Sequence, residues 1–283
     1  MTESVKVALF FLLILIASTK AQAEFFFNRK VKTEIEHMFD QNYQNDGRKV
    51  TIEDVQDLPK PVQTWLQVAG VVGNERTEAV RLKQKGQISL KPGGKWFKAK
   101  ATQYFTVHKP AFIWQAKVRF FPLIGIIGRD KYEKGQGHML MKLLSLFKVV
   151  DEDGPAMDQG TLTRFLGEIV WFPSAALREY IVWEPVDDTH AKATMSYENV
   201  TASAVFEFDA SSGAPVSFRC KRYYARPEGA TLENYLVVLD NFQNLGGVKI
   251  PVTGEAIWEL EEGDYSYYKV EITNIEYNKP ELY

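Results

Sequence analysis

From Val80 onward the chain alternates. Even positions carry Val80, Leu82, Gln84, Gly86, Ile88 and Leu90, while the odd ones carry Arg81, Lys83, Lys85, Gln87 and Ser89. That period of two is what a strand shows when one face is buried and the other wet. Pro92-Gly93-Gly94 supplies a turn, and alternation resumes with Phe97, Ala99, Ala101, Phe105 and Val107 on one face. After His108-Lys109-Pro110 a third strand shows Phe112, Trp114, Ala116, Val118 and Phe120. The run at residues 120–128 (Phe-Phe-Pro-Leu-Ile-Gly-Ile-Ile-Gly) breaks the pattern, being apolar almost throughout. It reads either as a buried crossing or as an exposed apolar rim. The alternation returns after residue 180, through Ile181 and Trp183, through Ala191 to Tyr197, and through Ala202 to Phe208. It continues in four more segments, beginning at Phe218, Tyr235, Val248 and Tyr265.

Between the two strand-rich halves lies one helical pattern, at residues 160–173. Leu162, Phe165, Leu166, Ile169 and Val170 stand at i, i+3, i+4, i+7 and i+8, one face of a helix, and Pro173 stops it. Asp158 is placed as its N-cap. Arg164 and Glu168, four residues apart, share another face with Trp171 nearby. A second helix is expected from Pro61 through Trp65 and Leu66, and a short, loosely attached one over Val31, Ile35, Met38 and Phe39. The expected fold is mainly β (α+β). It is a curved antiparallel meander sheet, or open half-barrel, of about ten strands with a helix packed on its concave face.

The N-terminus reads as an export signal. Lys6 precedes an uninterrupted apolar run from Val7 to Ala17, and Ala21-Gln22-Ala23 is an A-x-A cleavage site. The expected organisation is a signal peptide at 1–23, cleaved or kept as an anchor, a polar helical extension at 24–57, and one half-barrel domain at 58–283. The single cysteine, Cys220, excludes an intrachain disulfide and a lipid-bearing cysteine after the signal. These features fit a periplasmic or envelope protein, and a monomer.

Net charge is −2, which gives no electrostatic case for nucleic acid. Aromatic residues make up 13% of the chain, and that changes the picture more. So many rings suit either an aromatic-rich core or a concave surface that holds something apolar. The four histidines are widely spaced, with no HExxH pair, and Gly135-x-Gly137 lacks the third glycine of a dinucleotide loop. No metal site, cofactor or catalytic residue is expected.

Several blocks carry a family resemblance. They are Leu58-Pro-x-Pro61 with Gly70-Val-Val-Gly73, Gly135-x-Gly137-x-Met139, and Asp158-x-Gly160 with Arg164-Phe-Leu-x-Glu168-x-x-Trp171-Phe-Pro173. Trp183-Glu184, Arg222-Tyr223, and Gly247-Val-x-Ile-Pro251 with Trp258 continue the set. Together they resemble an uncharacterised bacterial family known only as a domain of unknown function. The form of that family resembles the curved half-barrels of periplasmic carriers and receptors that move outer-membrane lipoproteins. The resemblance implies no catalytic residue.

Three functions follow as expectations. The first is a non-enzymatic carrier or binder of a lipid, acyl chain or lipoprotein, with Trp96, Trp114, Trp171, Trp183 and Trp258 as apolar lining. Arg164, Glu168 and Arg222 would be its polar contacts. The second is an envelope enzyme using Glu168 as acid or base, assisted by His138 or a tyrosine. The third is an interaction module with a membrane contact through residues 120–128 or an uncleaved N-terminus. Arg164 and Glu168 are read foremost as an ion pair that docks the helix on the sheet, with Asp130 or Arg222 as its partner there. Arg129-Asp130 is read as a loop anchor.

Overall fold

The computed structural model describes residues 3–121 and 124–283. Thirteen antiparallel strands form one open sheet among these residues. The first six, β1 (Ala79–Ser89), β2 (Trp96–Thr106), β3 (Ala111–Arg119), β4 (Gly125–Glu133), β5 (Gln136–Leu143) and β6 (Phe147–Glu152), run as a meander to one edge. The chain then crosses the concave face as helix α3 (Pro155–Glu168) and two short 3-10 segments, Ile169–Trp171 and Pro173–Leu177. It reaches the opposite edge at β7 (Ile181–Pro185). From there β8 (His190–Tyr197), β9 (Val200–Phe208), β10 (Pro215–Tyr224), β11 (Thr231–Leu245), β12 (Val248–Leu260) and β13 (Gly263–Tyr277) return to the middle. There β13 pairs with β1, which joins the two meanders at the centre of the sheet. Edges β6 and β7 are not hydrogen-bonded to each other, so the half-barrel stays open.

The fold is the expected one, with thirteen strands where about ten were legible. The added strands are β4–β6; β6 is a short, exposed edge strand, and for β4 and β5 the reason is double coverage. Helix α1 (Glu3–Asn42) packs on the convex face, burying Phe27, Val31, Ile35, Met38 and Phe39 against Tyr104, Ala111, Ile113, Ile127 and Leu140. Strands β2 to β5 are therefore covered on both sides there, and a strand buried on both faces reads as a continuous apolar run. The extension before residue 58 is accordingly not loosely attached. Residues 120–128 resolve into a turn and the first half of β4. Phe121 and Ile124 are exposed at the turn, Ile127 is buried, and positions 122 and 123 lie outside the described residues. Helix α1 runs beside β3 from Glu24, paired with Lys117, to Asn42, which hydrogen-bonds Glu133. Its N-terminal part thus lies toward that same turn. The side chains of most of the apolar run from Val7 lie outside the described residues, and among those described no helix is long and apolar enough to cross a membrane.

The main core lies on the concave side. Helix α2 (Lys60–Val68) inserts Trp65 and Leu66 toward β8, and α3 inserts Leu162, Phe165 and Leu166, all at most 1% exposed. Full burial of each such side chain contributes about 1.5–3 kcal/mol. The α-helix begins earlier than the pattern implied and ends at Glu168, after which Ile169 and Val170 continue inward in 3-10 geometry. Gly154, not Asp158, occupies the N-cap position. Asp158 instead accepts a hydrogen bond of 2.7 Å from the Gly137 backbone N–H and so ties the first turn to β5.

Gly137 explains itself here. A Cβ on it would collide with Thr161 Oγ1 and with the Met157 carbonyl oxygen of α3. The helix backbone approaches β5 too closely for any side chain. Gly137→Ala is expected to lift α3 from the sheet and cost about 1–3 kcal/mol, the range for overpacked cores. Thermal denaturation of the variant beside the wild type measures it.

Candidate functional site: a cavity between helix and sheet

The concave face presents polar residues at two inward positions, Gln84 on β1 and Gln103 on β2, both buried. They begin a chain of contacts. Trp114 Nε1–H donates to Gln84 Oε1 at 2.9 Å, Gln84 Nε2 to Gln103 Oε1 at 3.2 Å, and Gln103 Nε2 to Glu168 Oε2 at 2.7 Å. Arg164 closes the chain. Its Nε donates to Glu168 Oε1 at 2.8 Å and its Nη1 to Asp130 Oδ2 at 2.6 Å. The guanidinium also lies over the rings of Phe112 and Trp114, 5.0 Å from each centroid. Arg164 thus docks α3 onto the sheet through Asp130, one of the two partners expected for it. Burial pushes the Glu168 carboxyl above its ordinary range, while Arg164 pulls the other way.

Arg129 and Asp130 are no loop anchor. They are consecutive residues in β4, so their side chains leave on opposite faces. Asp130 reaches inward to Arg164, whereas Arg129 reaches outward to Glu34 of α1 at 3.0 Å and to the His138 carbonyl oxygen at 2.8 Å. Adjacent residues thereby hold one helix on each side of the sheet. His138 faces outward too, between Arg129 and Asp151, and takes no part beside Glu168.

Beside this polar chain the helix does not fill the half-barrel. A cavity of about 270 Å³ remains, near the lower end of ligand-pocket volumes. Trp114, Met141, Trp171, Phe218, Leu239 and Tyr268 are among its walls, and Arg164, Glu168 and Arg222 also border it. On the helix side Gly167 lets α3 pack directly on the Phe218 ring, which a Cβ there would strike. A larger depression of about 790 Å³ lies on the outer face between α1 and the first strands. Its walls include Lys32, Lys83, Lys85, Lys100 and Lys117.

The structure brings together five of the eight residues singled out as ligand contacts: Trp114, Arg164, Glu168, Trp171 and Arg222. It separates the other three. Trp96 opens β2 in outward phase, one residue before inward-facing Phe97; it is 37% exposed, with Lys269 Nζ 5.0 Å from its ring centroid. Trp183 packs at the closed end against Trp65 and Phe206 and donates to the Ala176 carbonyl oxygen at 3.0 Å. Trp258 stands behind the wall, edge-to-face with Tyr235 and tilted against Tyr224. Arg222 does not pair with Glu168; it reaches the Tyr267 hydroxyl at 3.4 Å. Gln84, Gln103 and Tyr268 were missed as site residues. The two glutamines left a signal, being polar residues in the inward phase of otherwise apolar strands.

Residues 48–270 match the family of unknown function DUF6544. The chain belongs to this family. This DUF6544 protein is similar in structure to a LolA superfamily protein from Nitrosomonas europaea, at 12% identity and a TM-score of 0.45. That likeness covers 77% of this chain and 94% of the other. It is also similar to a DUF1329 family protein from Desulfovibrio piger, at 11% identity and a TM-score of 0.42, over 77% and 92% of the two chains. A beta-barrel-like DUF1849 protein from Brucella abortus follows at 7% identity and a TM-score of 0.28, over 72% and 99%. No curated protein matches the sequence.

Proposed function

We propose that this DUF6544 protein is a non-enzymatic binder or carrier of an apolar ligand in the bacterial cell envelope. The observation that carries the reading is the cavity itself: about 270 Å³ of space between α3 and the concave face, walled mainly by rings and aliphatic side chains. A core closes such space when nothing is to enter it, because packing to crystal-like density is the norm for interiors. The envelope setting is supported by Lys6, the apolar run that follows and the A-x-A site at Ala21-Gln22-Ala23. Both Glu168 oxygens already accept hydrogen bonds, from Arg164 and Gln103, which supports binding over acid/base chemistry at that carboxyl.

Two measurements test the reading. Solvent extraction and mass spectrometry of the purified protein should yield a bound amphiphile, and the emptied protein should take up a fluorescent fatty acid. Gly254→Leu should abolish that uptake. Gly254 borders the cavity, and a Cβ on it meets its neighbours no closer than 3.5 Å, so the added side chain can enter the space without backbone strain. Its stability should stay within about 1 kcal/mol of wild type, as for a substitution that forces no repacking. Clean protein with no uptake, or undiminished uptake by the variant, would overturn the proposal.

A further inference from the structure

The charges around the cavity do not all have partners. Arg164 is matched by Asp130 and Glu168, and Glu255, which touches the cavity margin, is matched by Lys269 at 3.4 Å. Arg222 is different. It occupies the inward phase of β10 with Phe218, Cys220 and Tyr224, and among the described residues no carboxylate lies within ion-pair distance of it. Its contacts are the Tyr267 hydroxyl and the ring faces of Tyr235 and Trp258, with centroids 5.1 and 5.8 Å from the guanidinium carbon. The Tyr267 hydroxyl is shared with that of Tyr235, 3.1 Å away. The Gly160 position of α3, without a side chain, lies along the guanidinium.

A cation half-buried against apolar walls, with no counter-ion in contact, is costly, and ring faces offset only part of that cost. A guanidinium also cannot shed its charge by losing a proton at any physiological pH. What it lacks is an oxyanion, which its planar fork is shaped to hold by two parallel N–H donations.

Resting on the carrier reading above, we infer that the ligand is an amphiphile with one slender aliphatic chain and an oxyanion head, and that Arg222 with the Tyr267 hydroxyl binds that head. The chain then lies along Phe218, Leu239 and the ring of Trp171. Asp130 and Glu168 both face Arg164, which offsets one of their two charges and turns both carboxylates away from the head, so their repulsion of it is reduced.

Four ten-carbon probes separate the possibilities: decanoate, decyl phosphate, decanol and decyltrimethylammonium, each titrated into emptied protein by calorimetry. Decanoate and decyl phosphate should bind about tenfold to a hundredfold more tightly than decanol, the ratio a charge-assisted hydrogen bond brings. The ammonium probe should bind more weakly than decanol. The two anionic arms tell a fatty carboxylate from a phosphate head by whichever binds tighter. Arg222→Met should erase the preference, bringing the anionic probes down to the affinity of decanol, and it should fold about as stably as wild type, since it removes a half-buried charge with no counter-ion in contact. Arg222→Lys, which keeps the charge, should retain the sign of the preference, and Tyr267→Phe should reduce it. Equal binding of decanol and decanoate, or a preference that survives Arg222→Met, overturns the inference and leaves the apolar-ligand reading standing. No binding of any of the four overturns that reading, and this inference with it.

Discussion

Arg164→Met should cost the protein about 3–5 kcal/mol of folding stability, the range for removing one partner of a buried ion pair. The size follows from what is left behind. Arg164 alone answers both Asp130, 1% exposed in its side chain, and Glu168, at 13%. Without it, two carboxylates share an enclosure with no cation between them. Glu168 retains one hydrogen bond, from Gln103, and Asp130 Oδ1 already has none in the intact protein.

The deficit should depend on pH, with a definite sign. Burial raises the Glu168 carboxyl above its ordinary value of 4.5, and Arg164 is the largest influence opposing that rise. In the variant the opposition is gone, so the folded-state value climbs further. Between the unfolded value and the folded one, the folded chain holds a proton that the unfolded chain has released. Stability therefore increases as pH falls through that window. Urea denaturation at about pH 8 and about pH 5.5 should show the variant recovering part of its loss at the lower pH. A loss that stays constant, or deepens on acidification, would mean that Glu168 does not depend on Arg164 for its charge.

The same cluster shows what was readable from the chain and what was not. The i,i+4 spacing of Arg164 and Glu168 marked a docking pair on the helix, and strand alternation gave most of the sheet that receives it. β1, β2 and the strands from β7 to β13 announced themselves because much of their outer face is wet. β4 did not, because α1 covers its outer side and α3 its inner side. The length and docking of α1 stayed hidden for a related reason. Phe27, Val31, Ile35, Met38 and Phe39 make a helical stripe, but its partner is the back of a sheet whose outward residues there, Tyr104 and Ile113, look like interruptions of the alternation. Trp96 could have been placed correctly, since its phase is opposite to Phe97. Trp183 could not: it has inward phase, and only the position of Trp65 on α2 shows that its end of the half-barrel is filled. Arg222 was legible as an inward residue, and its lack of a counter-ion is a fact of three dimensions.

Phe165→Ala is the complementary test, and it separates the packed part of the concave face from the open part. Phe165 is 0% exposed and sits among Phe105 and Phe172, with ring centroids 6.1 and 5.7 Å away. It borders the filled core and is not among the walls of the cavity. Truncating it removes a large ring from a tight site, at an expected cost of about 3–5 kcal/mol, comparable with the loss of Arg164. The void so made is apolar and Phe165 itself is not a wall of the ligand space, so affinity for an aliphatic probe should change by less than about twofold. Gly254→Leu should do the reverse, leaving stability nearly intact while blocking uptake. Denaturation and probe titration on the two variants together therefore make a cross-comparison. If Phe165→Ala weakens binding as much as it weakens the fold, the core and the cavity are one mechanical unit, and α3 grips the ligand through its packing. If the two effects separate as expected, α3 is a fixed wall held by Arg164 and Phe165, and the ligand enters a space that exists before it arrives.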